Sequence, residues 1–219
     1  MDIGGPQGYI WGVNEAGVQY FRSGASPLSP GNFWIPVSNP PSNPILLSQV
    51  AIGGGGGAGD VFGLGILPNA RSPGNLYVYY REGVTSARPT GRSWKRLDGG
   101  LRQISVGGGF SGDPSVGPLL SPSPSFDGTL PVVWGVNSSG FVYARTGITG
   151  AAREGTGWQF VSSSPRMRQV SVNGDGTVVW AIDRSGSLYW RYVSGGFSWN
   201  RVGEPGGGFG SDSSGVTTF

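Results

Sequence analysis

Trp134-Gly135-Val136-Asn137, then Gly140, then Val142-Tyr143-Ala144-Arg145, then Trp158, then Gln169-Val170-Ser171-Val172: this ordered series decides the fold, because it recurs. It returns downstream as Trp180-Ala181-Ile182-Asp183, Gly186, Leu188-Tyr189-Trp190-Arg191 and Trp199. Upstream it reads Trp11-Gly12-Val13-Asn14, Gly17, Val18 to Arg22, Trp34 and Gln49-Val50-Ala51-Ile52-Gly53. A degraded copy runs Phe62-Gly63-Leu64, Leu76 to Arg81, Trp94 and Gln103-Ile104-Ser105-Val106-Gly107. Seven of the eight Trp fall in two columns, with Phe62 filling the vacant place, and Arg22, Arg81, Arg145 and Arg191 close the Tyr-containing run. A fixed order repeated four times is the signature of a repeat architecture.

Within each unit, short runs of Val, Ile, Tyr, Phe and Trp are bounded by Gly, Asn, Asp and Ser, the pattern of strands joined by tight turns. Asn14 to Gly17, Asn137 to Gly140 and Asp183 to Gly186 have the residues that tolerate left-handed backbone angles, and Asn173-Gly174-Asp175-Gly176 is a hairpin turn of the same kind. No segment of ten residues shows helical periodicity. The chain has 43 Gly and 17 Pro, a fraction at which disorder competes with folding, but its 26 aromatic side chains in register supply what a folded core requires. The expectation is an all-β protein, a β-propeller of four repeats with about four antiparallel strands each. It forms a single domain over 1–219, with units at roughly 1–48, 49–102, 103–168 and 169–219. The chain begins inside a unit, so Gly215-Val216-Thr217-Thr218-Phe219 is expected to close the ring with the missing first strand. The inserts Ser38 to Pro44 and Pro114 to Pro131 are expected at the periphery.

The columns Gln-Ile-Ser-Val-Gly, Trp-Gly-Val-Asn and Gly-x-Val-Tyr-x-Arg, with a closing Trp before the next Gln strand, resemble tectonin repeats over nearly the whole chain. Trp94-Lys95-Arg96-Leu97-Asp98-Gly99-Gly100-Leu101-Arg102-Gln103 is the closest single stretch. Familiar tectonin lectins usually carry six compact repeats, whereas these four are longer and interrupted. The resemblance implies a propeller lectin. Relatives among invertebrate, fish-egg and fungal lectins bind cell-surface glycans, including bacterial lipopolysaccharide and O-methylated sugars.

The residues present argue against catalysis. Without Cys or His there is no thiolate, no disulfide and no imidazole base or ligand, and the 12 Asp and Glu fall mostly in turns. Gly53 to Gly57 lacks the Lys-Ser/Thr and helix of a phosphate loop. Asp127-Gly128-Thr129 and Asp175-Gly176-Thr177 supply too few oxygens for calcium and are expected to be turns. No catalytic residue, metal ligand or cofactor is expected. Sugar recognition instead uses flat aromatic faces with planar amide, carboxylate or guanidinium partners. The candidate carbohydrate-binding residues are Asn14, Tyr20, Arg22, Tyr80, Arg81, Asn137, Tyr143, Arg145, Asp183, Tyr189, Trp190 and Arg191. The Tyr column takes either Tyr79 or Tyr80 in the second unit. The two Trp columns are expected to pack between neighbouring units, leaving Trp190 as the best candidate for an exposed ring.

The leading expectation is a multivalent, non-catalytic lectin for cell-surface or microbial glycans, acting in defence. The alternatives are a protein-interaction scaffold and a self-assembling propeller, a homo-oligomer. With a net charge of +3 and no dense basic run, nucleic acid is not an expected partner. No run of 18 apolar residues and no signal peptide is visible, so no membrane span is expected, and location is cytoplasmic or reached by unconventional secretion.

Overall fold

In the computed structural model, residues 2–4, 8–26, 28–37, 45–54, 59–66, 74–108, 130–194 and 198–203 are described. The inserts 38–44 and nearly all of 114–131, the Asp127 turn and the 215–219 segment lie outside them. The protein is all-β: every described element is a strand. Sheet I contains β1 (Asp2–Gly4), β2 (Tyr9–Val13), β3 (Gln19–Arg22) and β6 (Trp34–Pro36), with a small hairpin of β4 (Ala25–Ser26) and β5 (Ser29–Pro30). Sheet II contains β7 (Leu46–Gly53), β8 (Asp60–Ile66), β9 (Leu76–Glu82) and β10 (Ser93–Leu101). Sheet III contains β11 (Gln103–Gly107), β12 (Val132–Val136), β13 (Val142–Thr146) and β14 (Gly157–Ser162). Sheet IV contains β15 (Met167–Val172), β16 (Val178–Asp183), β17 (Leu188–Tyr192) and β18 (Asn200–Arg201). Each sheet is an antiparallel meander in chain order.

One expectation is corrected at the start of the chain. The first strand of sheet I is not missing, because Asp2, Ile3 and Gly4 pair with Trp11, Ile10 and Tyr9. Asp-Ile-Gly lacks the Gln that marks this strand elsewhere, which hid it from pattern reading.

Register explains the aromatic columns. Trp11 lies opposite Phe21, Phe62 opposite Tyr80, Trp134 opposite Ala144 and Trp180 opposite Trp190. The next residue, Gly12, Gly63, Gly135 or Ala181, faces the other way, as strand alternation requires, and lies opposite Tyr20, Tyr79, Tyr143 or Tyr189. Each sheet therefore has an indole face and a small-residue face, and consecutive sheets stack one on the other. The core between sheets I and II joins Trp11 and Phe21 to Tyr79 and Trp94, with the Trp11 and Trp94 rings edge-on at 6.3 Å. Between II and III it joins Phe62 to Tyr143 and Trp158. Between III and IV it joins Trp134 to Tyr189 and Trp199, with Trp134 and Trp199 edge-on at 6.4 Å. Two column members depart from the expected packing. Trp34 is 40% exposed and Trp180 41% exposed, because Trp34 stands on the small-residue face of the first sheet and Trp180 on the indole face of the last.

Glutamines stitch the first strands together. Gln49 accepts the Ile104 N–H at 3.1 Å and donates to the Ile104 carbonyl at 2.7 Å. Gln103 does the same to Val170, at 2.9 Å each way. These strands border a shared cavity of about 320 Å³ lined by Gln49, Gln103, Gln169 and their neighbours.

Candidate functional site

The arginine column is built into the sheets. Each Arg stands next to its Trp, with the guanidinium carbon 5.5 Å from the Trp34 ring for Arg22, 5.4 Å from Trp94 for Arg81, 5.2 Å from Trp158 for Arg145 and 5.6 Å from Trp199 for Arg191. The forks also donate to carbonyls of the loop that leads to that Trp: Arg22 to Pro30 and Gly31, Arg81 to Thr90, Arg145 to Glu154 and Gly155. Burial lowers the pKa of Arg81 to about 10 and pulls that of Arg191 down as well. The loop can approach because its corner is glycine: Gly155 has φ 69°, and a Cβ there would lie 2.6 Å from the Thr146 carbonyl.

Asn14, Asn137 and Asp183 cap their turns. Asn14 accepts the Val18 N–H, Asn137 the Phe141 N–H, and Asp183 those of Ser185 and Ser187. Hydrogen bonds from the Ser185 hydroxyl and these amides hold the Asp183 carboxyl below its usual range. Register puts Tyr79, not Tyr80, in the Tyr column. Tyr79 is buried, while Tyr143 and Tyr189 pack against the preceding sheet. Tyr80 instead occupies the place of Phe21 and Ala144, where its hydroxyl donates to Asp60 at 3.0 Å. Trp190 is half-buried, edge-on to Tyr192 at 5.3 Å. In sheet I the structure brings column members together at an open surface: Asn14, Tyr20, Trp34 and Gly12 line a hollow of about 260 Å³.

The larger cleft lies between sheets III and IV and measures about 640 Å³. Trp134, Ala144 and Gln159 line it from sheet III, and Arg191, Ser198 and Trp199 from sheet IV. One small residue distinguishes this junction from the two before it. Where Phe21 or Tyr80 fills the space opposite the column aromatic, sheet III has Ala144. The Arg191 guanidinium lies 5.5 Å from the Trp134 ring. The cleft thus joins two indoles, a guanidinium, an amide and hydroxyls of Ser162, Ser164 and Ser198. Of the twelve candidates, Arg191 alone borders it. Ala144 was within the repeat pattern as a departure from the aromatic column; Gln159 carried no sequence signal.

Acids near the sheets are engaged structurally. Asp60 is 2% exposed and is held by Arg153, in the loop between β13 and β14, at 2.6 and 2.9 Å and by Tyr80. Burial outweighs these partners and raises its pKa, and burial beside Asp60 raises that of Tyr80. Glu154 pairs with Lys95 at 2.5 Å, and Asp98 pairs with Arg145 and accepts the Trp158 indole N–H through its carbonyl. Among the described residues no group of three or more His, Cys, Asp or Glu is placed to hold a metal, and no helix is long and apolar enough to cross a membrane.

No family model matches the chain. A stretch of 58 residues, 26% of the chain, is 45% identical to the perivitellin-2 31 kDa subunit of Pomacea maculata. The match spans 19% of that relative's length. Among solved structures, human WBSCR16 is similar over 90% of this chain and 51% of its own, at 13% identity and a TM-score of 0.48.

Proposed function

We propose that the protein is a non-catalytic carbohydrate-binding protein of β-propeller type, built from four tectonin-type repeats, and that its sugar seat is the cleft over Trp134. The observation that carries the reading is the Ala144 gap, which turns a packed inter-sheet core into a recess with indole, guanidinium, amide and hydroxyl groups. A cavity of about 640 Å³ is of ligand size. Indole surface suits the C–H face of a pyranose, while Arg191, Gln159 and the serines can share its hydroxyls. Surface glycans, microbial ones among them, are the ligand class, and defence is the role. The repeat columns and their likeness to tectonins support both.

The test is a glycan array followed by calorimetry with the best sugar, on wild type, Ala144→Tyr and Gln159→Ala. Ala144→Tyr restores the aromatic that sheet II has at this position and should leave the fold intact while abolishing binding. Gln159→Ala should weaken it about tenfold, the value of one lost hydrogen bond. Full affinity in Ala144→Tyr would move the sugar elsewhere, and silence across the array would end the lectin reading.

A further inference from the structure

The two end faces of the described sheet stack carry the two kinds of surface that meet at each internal junction. At the junctions I–II and III–IV an indole from the leading sheet meets an indole from the following sheet, Trp11 with Trp94 and Trp134 with Trp199, edge-on at 6.3 and 6.4 Å. The II–III core holds Phe62 of the leading sheet and Trp158 of the following sheet in one cluster. Among the described residues sheet IV ends the series, with a leading face that carries Trp180, Leu188 and the half-buried Trp190; Trp180 is 41% and Leu188 38% exposed. Sheet I begins it with a following face that carries Trp34, 40% exposed, beside Tyr20 and the hollow over Gly12. The glutamine series has the same polarity. Gln49 grips sheet III and Gln103 grips sheet IV, while the Gln169 side chain is exposed and reaches no corresponding backbone among the described residues.

We infer that these faces join head to tail between two copies of this chain, with Trp180 of each copy seated against Trp34 and Tyr20 of the other. The surfaces continue an interface the chain already makes three times within itself, which fixes the occupant as another end of the same kind. Each junction joins two different patches, and a twofold axis relating the two junctions closes the pair without leaving a free end. Two chains of four sheets make an eight-bladed ring, within the ordinary range of propellers. Each ring would carry two clefts over Trp134, so a multivalent display would come from assembly.

Analytical ultracentrifugation of the full chain and of Trp34→Glu and Trp180→Glu tests this. Both indoles are 40% or more exposed, so the variants should keep the wild-type circular dichroism. Wild type should sediment as a dimer, and each variant alone as a monomer. Mixing the two variants should restore a 1:1 complex, because one junction then has both of its indoles. A wild type that stays monomeric up to about 100 µM, the behaviour expected if residues 203–219 close the ring within one chain, would overturn the inference. So would dimers in either single variant, or a mixture that stays monomeric. Sugar binding by the monomeric variants would be unaffected, which separates this result from the fate of the cleft.

Discussion

Gln103 holds Val170 by both of that residue's backbone polar groups: its side-chain oxygen accepts the Val170 N–H and its amide donates to the Val170 carbonyl, each at 2.9 Å. A side chain thus supplies across a sheet boundary what a neighbouring strand supplies within one. Replacing it by Ala strands a part-buried peptide group without its partner. Gln103→Ala should cost about 1–3 kcal/mol in urea denaturation. Gln169→Ala, whose side chain is exposed, should stay within about 0.5 kcal/mol in dilute solution.

Asp60 gives the fold a pH dependence of known sign. Its pKa is raised in the native protein, so the folded chain holds that proton more tightly than the unfolded chain does. The stabilisation is therefore full below the ordinary Asp pKa of 3.8 and is lost as pH rises through the raised value. Compared with Asp60→Asn, wild type should gain stability on acidification across that window, measured as the difference between paired urea curves. Arg153→Ala removes the ion-pair partner from a carboxylate that is 2% exposed and should enlarge the pH effect.

Arg145 tests whether the arginine column depends on charge or on shape. Its fork reaches the carbonyls of Glu154 and Gly155 and the Asp98 carboxylate while it lies 5.2 Å from the Trp158 ring. A lysine keeps the charge and loses the planar fork. Arg145→Lys should cost about 2–3 kcal/mol, close to Arg145→Ala, by thermal or urea unfolding. Near-complete rescue by Lys would show that charge alone suffices.

The repeating order of Trp, Gly, Tyr and Arg made the all-β class and the turns between the strands readable, because local alternation and turn chemistry set them. The ends were harder. Asp2–Gly4 forms a strand through backbone pairing with Tyr9–Trp11, which no side-chain pattern announces. Trp34 and Trp180 are chemically identical to their buried counterparts, and their exposure follows from standing on the two faces against which no other described sheet packs. The cleft was obscured for a different reason. Attention to aromatics as binding groups points to where they occur, whereas the recess over Trp134 exists where one is absent, at Ala144. Tyr80 went the same way: two adjacent tyrosines fit the column, and only register assigns Tyr79 to it and Tyr80 to Asp60.

Stoichiometry follows from the same residue. Phe21 and Tyr80 occupy the first and second junctions opposite Trp11 and Phe62, and Trp190 faces Trp180 at the free end, so among the described residues the gap arises once per chain. Calorimetry with the array-selected sugar should give one site per chain, whatever the assembly state. Filling the gap should then act on binding and on stability in opposite directions. An aromatic at position 144 covers Trp134 and replaces solvent with packed surface, so Ala144→Tyr should unfold at equal or higher urea concentration, by up to about 1 kcal/mol. A loss of binding accompanied by a loss of stability would mean that the tyrosine distorts sheet III. In that case the smaller Ala144→Val should restore the fold and leave the sugar affinity reduced in proportion to the volume it occupies.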